Sequence, residues 1–229
     1  MITGILLAAG QGRRFQQVQA QASAAFAQSK CLTPLADGTP LVIRAAENLL
    51  SAVDRLVCVI RADDSAMAAL LAEQTGELAR KLVVVHCAQA QLGMAESIKA
   101  GINATADSSG WLLAFADMPF IKAVTCRQIA AQLQHADTIC VPVYKHEQKN
   151  GQKHNHNQKD KQGAVTQGHP VAFGANWRAA LLALQGDRGA KVILQQHSNQ
   201  VTWLAVTDPA ISWDVDELED LLRYQIAAV

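Results

Sequence analysis

The chain has 229 residues, half of them hydrophobic, with 17% charged and a formal net charge of zero. That length and apolar fraction suit one large domain with a substantial core, and the balanced charge excludes the basic excess of a nucleic-acid binder. No apolar run approaches the roughly 18 residues of a membrane span, and no basic region precedes the first apolar run, so a cytoplasmic protein without membrane contact is expected.

The first apolar run, Ile5, Leu6 and Leu7, ends abruptly in Ala8, Ala9 and Gly10, followed by Gly12, Arg13 and Arg14. This pattern predicts a buried strand opening into a loop where backbone N–H groups and arginines could meet phosphate. It is not a P-loop, because Gly12 is followed by Arg13 and Arg14 where Lys-Ser/Thr is required. It is not the dinucleotide fingerprint either, since Phe15 stands where a small residue is needed and the later acidic residue is missing. Taken alone, the loop is equally compatible with a tight turn carrying solvated arginines.

Residues 16–29, rich in Gln, Ala and Ser, read as a helix or a flap leading to Lys30. An Asp37-Gly38 turn and Pro40 then predict a helix to about Leu50. Strands are expected at Val57–Ile60, Leu82–Val85, Trp111–Phe115, Ile139–Val143 and Val201–Val206, with helices from Asp63, after Gly93 and over 122–134. Strand-helix alternation with uninterrupted aliphatic runs predicts a parallel sheet buried on both faces, with ligands at the carboxyl ends of its strands. Residues 145–167 are almost devoid of large apolar side chains and read as a mobile surface loop, in which His146, His154 and His156 are solvated. A short strand and helix follow at 168–177, then a turn at 186–189 and a helix. Leu218, Leu221, Leu222 and Ile226 predict a closing amphipathic helix. Cys31, Cys58, Cys87, Cys126 and Cys140 are widely spaced and form no CxxC pair, which argues against disulfides and structural zinc.

Asp117 follows an apolar strand, while Asp214 and Asp216 precede the last helix; brought together at a phosphate site, such carboxylates can hold Mg²⁺. For Asp216 the plainer reading is a partner for the helix dipole. Lys30, Gly93, Ser97, His169 and the Gly186-Asp187-Arg188-Gly189 turn are individually weak signals.

Together the segments LLAAGQGRRF with Lys30, PLADGTPLV, LGMAESIKAGI, DMP at 117–119, GHPVAFG at 168–174, GDRGAK at 186–191 and DVDELEDL at 214–221 resemble the nucleotidyltransferase family that includes the molybdenum cofactor cytidylyl- and guanylyltransferases. The resemblance implies a single α/β domain over 1–229, a Rossmann-like three-layer sandwich of the glycosyltransferase-A kind with a mainly parallel sheet. It also implies transfer of a nucleoside monophosphate from an NTP with release of pyrophosphate. LAAG at 7–10 resembles the cytidylyl branch, the guanylyl branch usually having glycine where Ala9 stands. The implied substrates are CTP and a molybdopterin-type cofactor, the implied metal is Mg²⁺, and the implied protein partner is a molybdoenzyme or its chaperone. By the same resemblance Arg13 and Lys30 face the triphosphate, and Asp117 and Asp216 hold the metal. Leu7, Ala8, Ala9, Gly10, Gly12, Gly93 and Ser97 surround the nucleotide, and His169, Asp187 and Arg188 lie near the acceptor. The chain departs from the family pattern at Ala116, usually Gly, at Glu217 and Leu218, usually Thr-Pro, at Gln167, usually Arg, and in the longer segment from Arg14 to Lys30.

Overall fold

The structure, a computed structural model, describes residues 1–10, 29–146 and 165–227. Gly12, Arg13, nearly all of the 16–29 segment, and His154 and His156 with most of the 145–167 loop therefore lie outside the described residues.

Among the described residues, eight strands form one sheet: β1 (Ile2–Leu7), β2 (Arg55–Arg61), β3 (Leu82–Cys87), β4 (Gly110–Phe115), β5 (Ile139–Lys145), β6 (Val165–Gln167), β7 (Val171–Gly174) and β8 (Val201–Val206). The order β3-β2-β1-β4 is parallel throughout. Beyond β4 the pattern changes, because β7 runs antiparallel to both β4 and β5, while β8 lies parallel to β5 on its other side. β6 pairs with the later part of β5, so β7 and β6 occupy one line across the sheet, interrupted at 168–170. The sheet is thus mostly parallel, with one antiparallel line inserted.

Alternation along the strands sorts side chains into two cores. Leu6, Leu56, Cys58, Ile60 and Leu112 face a layer made by α1 (Leu41–Leu50), α2 (Ser65–Ala72), α3 (Gly76–Lys81) and α5 (Ala123–Ala130). Ile5, Val57, Val59, Trp111, Leu113 and Phe173 face α4 (Met94–Asn103), α6 (Arg178–Leu182) and α7 (Lys191–Gln196). The result is the expected three-layer sandwich.

Burial on both faces holds for the central strands and fails at the two edges. Val83 on β3 and Trp203 on β8 are each 43% exposed, because an edge strand lacks the neighbouring strand and the helix cover that central strands receive. The helix expected over 122–134 stops at Ala130. The closing helix, α8 (Leu218–Ala227), buries only Leu221 of its four spaced apolar residues, against Leu41 and Val215; Leu218, Leu222 and Ile226 are exposed. Of the expected caps for α2, Asp64 accepts a hydrogen bond from the Met67 N–H, while Asp63 pairs with Arg61. No helix among the described residues is long and apolar enough to cross a membrane.

Candidate active site

Leu7 and Phe115 are paired at the ends of β1 and β4, so both chains leave the sheet side by side. Ala8–Gly10 and Asp117 therefore border the same space, a cavity of about 340 Å³. Ala8, Ala9, Gly10 and Lys30 line it together with Gly93, Ser97, Asp117 and Asp187, which are scattered along the sequence.

Lys30 lies in a short turn (Lys30–Leu32), and its side chain is only 10% exposed. Its Nζ is 2.8 Å from Asp117 Oδ2 and 3.0 Å from Asp216 Oδ1. Burial alone would lower the lysine pKa, but the two carboxylates outweigh it and hold the ammonium above its ordinary value. Asp216 reaches this point through the backbone: Val215 N–H donates to the Asp117 carbonyl at 2.9 Å, and Val215 is fully buried beneath it. Asp220 Oδ2 then accepts from the N–H groups of Asp216 and Glu217, which secures the turn into α8. Asp214, nearby, has its pKa raised by burial and by the charges of Asp216 and Asp117.

These donors suit a hard divalent cation in one respect. Asp117 and Asp216 present oxygens from opposite segments to a single point, as their shared contact with one nitrogen demonstrates. No group of three or more His, Cys, Asp or Glu among the described residues is placed to hold a metal. A metal here would draw its remaining ligands from water and substrate oxygens, the usual arrangement for Mg²⁺.

The opposite wall is a glycine loop. Gly93 has φ +126°, and a Cβ there would fall 2.6 Å from the Gly186 carbonyl carbon, so the loop before α4 and the 186–188 turn come into close backbone contact. Asp187 Oδ1 accepts from Met94 N–H at 3.2 Å, tying the turn to the start of α4.

A second cavity of about 370 Å³ adjoins the first and shares Leu7, Met94 and Phe115 with it. Its walls are mostly aliphatic, including Ile98, Leu113, Val141 and Val171, with Gln167, Arg188 and Lys191 exposed at the rim. His169 lines it, and burial lowers the imidazole pKa to about 4 against weaker opposing effects of a Leu113 backbone hydrogen bond and Asp117. Its Nδ1 is buried without a hydrogen-bond partner among the described residues. The ring packs edge-on against Phe115, centroids 4.5 Å apart.

Of the residues singled out from sequence, Leu7, Ala8, Ala9, Gly10, Lys30, Gly93, Ser97 and Asp117 border the first cavity, and Asp216 joins it through Lys30. The group placed near an acceptor is divided: His169 and Arg188 line the second cavity, while Asp187 lines the first. Phe115, Met94, Cys31 and Gln91 line the first cavity without having been singled out. Phe115 was within reach of sequence reasoning, since it ends the apolar strand that leads to Asp117. Met94 and Cys31 carry no local sign of their position.

Residues 4–201 match the family described as the MobA-like NTP transferase domain. Nicotine blue oxidoreductase of Paenarthrobacter nicotinovorans is 27% identical over 224 residues, which cover 97% of this chain and 95% of that protein. A nucleotidyl transferase from Methanothermobacter superposes with a TM-score of 0.74 at 22% identity, covering 100% of this chain and 97% of the other. Rv0371c from Mycobacterium tuberculosis, solved in complex with manganese, superposes with a TM-score of 0.67 at 24% identity, covering 100% and 99%. At these identities the solved structures establish the shared fold.

Proposed function

The chain belongs to the MobA-like NTP transferase family and is a nucleotidyltransferase, and from that premise we propose that it transfers CMP from CTP to the terminal phosphate of a molybdopterin-type cofactor, releasing pyrophosphate. The observation that carries this reading is the convergence of Lys30, Asp117 and Asp216 beside the glycine loop at Gly93. The donor takes the first cavity, with its base and ribose against Leu7–Gly10, Gly93 and Ser97. Arg13 and Lys30 balance the triphosphate charge. Asp117 and Asp216 hold Mg²⁺, which when bound neutralises phosphate charge. Asp187, tied to Met94, positions the glycine loop. The acceptor takes the second cavity, beside His169 and Arg188.

In the transfer, a terminal phosphate oxygen of the acceptor forms a bond to the α-phosphorus while the bond from that phosphorus to the α,β-bridging oxygen breaks. Pyrophosphate leaves with the electron pair. The acceptor phosphate, with a second pKa of about 6, is already largely ionised near neutral pH, so no side chain has to remove a proton. The protein's task is placement and charge neutralisation.

Alternative acceptors differ in the hydrogen bonds they require. A sugar or alditol phosphate, which the same donor site would permit, presents hydroxyls rather than a pterin ring to the second cavity, and acceptor screening separates the two. The name of the Paenarthrobacter relative raises an oxidoreductase reaction, and a nicotinamide-dependent one is disfavoured by the incomplete dinucleotide fingerprint at Gly10–Phe15. A reducing cytoplasmic location accords with five buried cysteines, none in a disulfide.

Pyrophosphate release from CTP and from GTP with a molybdopterin-loaded acceptor tests the reading. CTP is the expected donor, on the strength of Ala9. Equal or faster turnover with GTP overturns the donor assignment, and failure to release pyrophosphate with every acceptor favours a non-catalytic nucleotide-binding protein.

A further inference from the structure

The two cavities meet at a waist formed by Leu7, Met94 and Phe115, the side chains that line both. Leu7 is fixed in the sheet, and Met94 is a flexible thioether that fills space without defining a plane. Phe115 differs from both. It is a rigid ring at the last position of β4, two residues before Asp117, partly buried against the cores on both faces of the sheet.

The ring is held in place from two directions. Its backbone is paired with Leu7, and its carbonyl accepts from Met118 N–H at 3.3 Å. Its face or edge meets His169 at an interplanar angle of 78°, a favourable geometry for two aromatic rings. His169 is itself anchored: its N–H donates to the Ile211 carbonyl at 2.8 Å, and a Cβ at the preceding Gly168 would fall 2.2 Å from that same oxygen. Close backbone contact thus fixes the backbone that carries His169, and its imidazole packs edge-on against the phenyl ring.

We propose that Phe115 is an acceptor-positioning residue: its ring is the plate against which the acceptor body lies in the second cavity, so that the terminal phosphate passes the waist toward the α-phosphorus. His169 is a positioning residue that acts through Phe115. This inference rests on the assignment of donor and acceptor to the two cavities. Its physical basis is the steep dependence of rate on orientation when two bound molecules must react in line, combined with the low conformational freedom of an aromatic side chain. An aliphatic side chain of similar bulk would fill the waist but would present no flat surface.

The test uses the full chain with Mg²⁺, CTP and molybdopterin-loaded acceptor, and separates donor binding from transfer. In Phe115→Ala, CTP affinity measured by calorimetry is expected to stay within about twofold of wild type, while kcat at saturating acceptor falls at least about tenfold and acceptor KM rises. Phe115→Tyr keeps the ring and is expected to restore transfer; Phe115→Leu keeps bulk alone and is expected to resemble the alanine variant, which also covers the case in which alanine impairs folding. His169→Phe is expected to retain transfer and His169→Ala to lose it. Wild-type acceptor kinetics in Phe115→Ala or Phe115→Leu overturn the proposal, as does an equal loss of CTP affinity and transfer, which marks a purely structural ring. Failure of the wild-type protein to bind CTP or release pyrophosphate is a different result: it removes the two-substrate reading and this inference with it.

Discussion

The two cavities share a wall but manage charge in opposite ways. In the first, an ammonium and two carboxylates from three distant segments lie in contact, with Lys30 almost buried between Asp117 and Asp216. In the second, burial lowers the pKa of His169 on the inner wall to about 4, and Arg188 and Lys191 stay at the exposed rim. Charge that is desolvated and paired costs much to assemble and is hard to replace with solvent, so it belongs where phosphate charge shifts during reaction. An aliphatic wall contributes shape, which is what placing an acceptor requires. The comparison assigns electrostatics to one side of Phe115 and orientation to the other.

The largest effect is expected at the charged side. Asp117→Asn should cut pyrophosphate release by about a thousandfold, roughly 4 kcal/mol of transition-state stabilisation, with the fold intact by circular dichroism. Near wild-type rates at saturating Mg²⁺ would make the carboxylate structural and erase the contrast between the cavities.

A smaller loss is expected at Lys30. Lys30→Ala should lower CTP turnover at least about tenfold, roughly 1.4 kcal/mol. Lys81→Ala serves as the control, because Lys81 forms a helix-surface pair with Glu77 at 2.8 Å and should leave turnover unchanged. Matching kinetics for the two variants would show that the buried ammonium serves only the resting fold.

The smallest effect is one of stability, and it separates the cavities by pH. Lys30 has a raised folded pKa, so its contribution is fully present below about 10.5 and disappears only as pH rises through the higher folded value. His169 has a folded pKa lowered from 6.5 to about 4, so the unfolded chain binds the extra proton first and stability falls as pH drops from about 6.5 toward 4. Melting temperatures between pH 7 and 4 should therefore decline less steeply in His169→Phe than in wild type. Parallel acid limbs would mean that the imidazole is not held neutral in the fold.

Much of this protein was legible locally. The aliphatic runs at 57–60, 111–115 and 139–143 became central strands because a buried strand needs apolar side chains on both faces. Asp117 could be picked out because a carboxylate directly after such a strand has no place in the core. Gly93 could be picked out as a loop glycine, and the structure adds its reason, a positive φ against the Gly186 backbone.

Other features were decided only by contacts between distant parts of the chain. The runs at 82–85 and 201–206 look like central strands but became edges, since strand order is a property of the whole sheet. The antiparallel line of β7 and β6 depends on pairing with β4 and β5, and short apolar stretches carry no direction. Asp187 and Arg188 are neighbours in sequence yet border different cavities, because the turn that carries them is clamped against Gly93 and Met94. Lys30 and Asp216 lie 186 positions apart and meet because the buried Val215 bonds the Asp117 carbonyl. Periodicity and residue type determined which segments are strands and helices and which residues have the chemistry for phosphate. Long-range backbone hydrogen bonds and close glycine contacts, which leave no local pattern, determined which of those residues share a site.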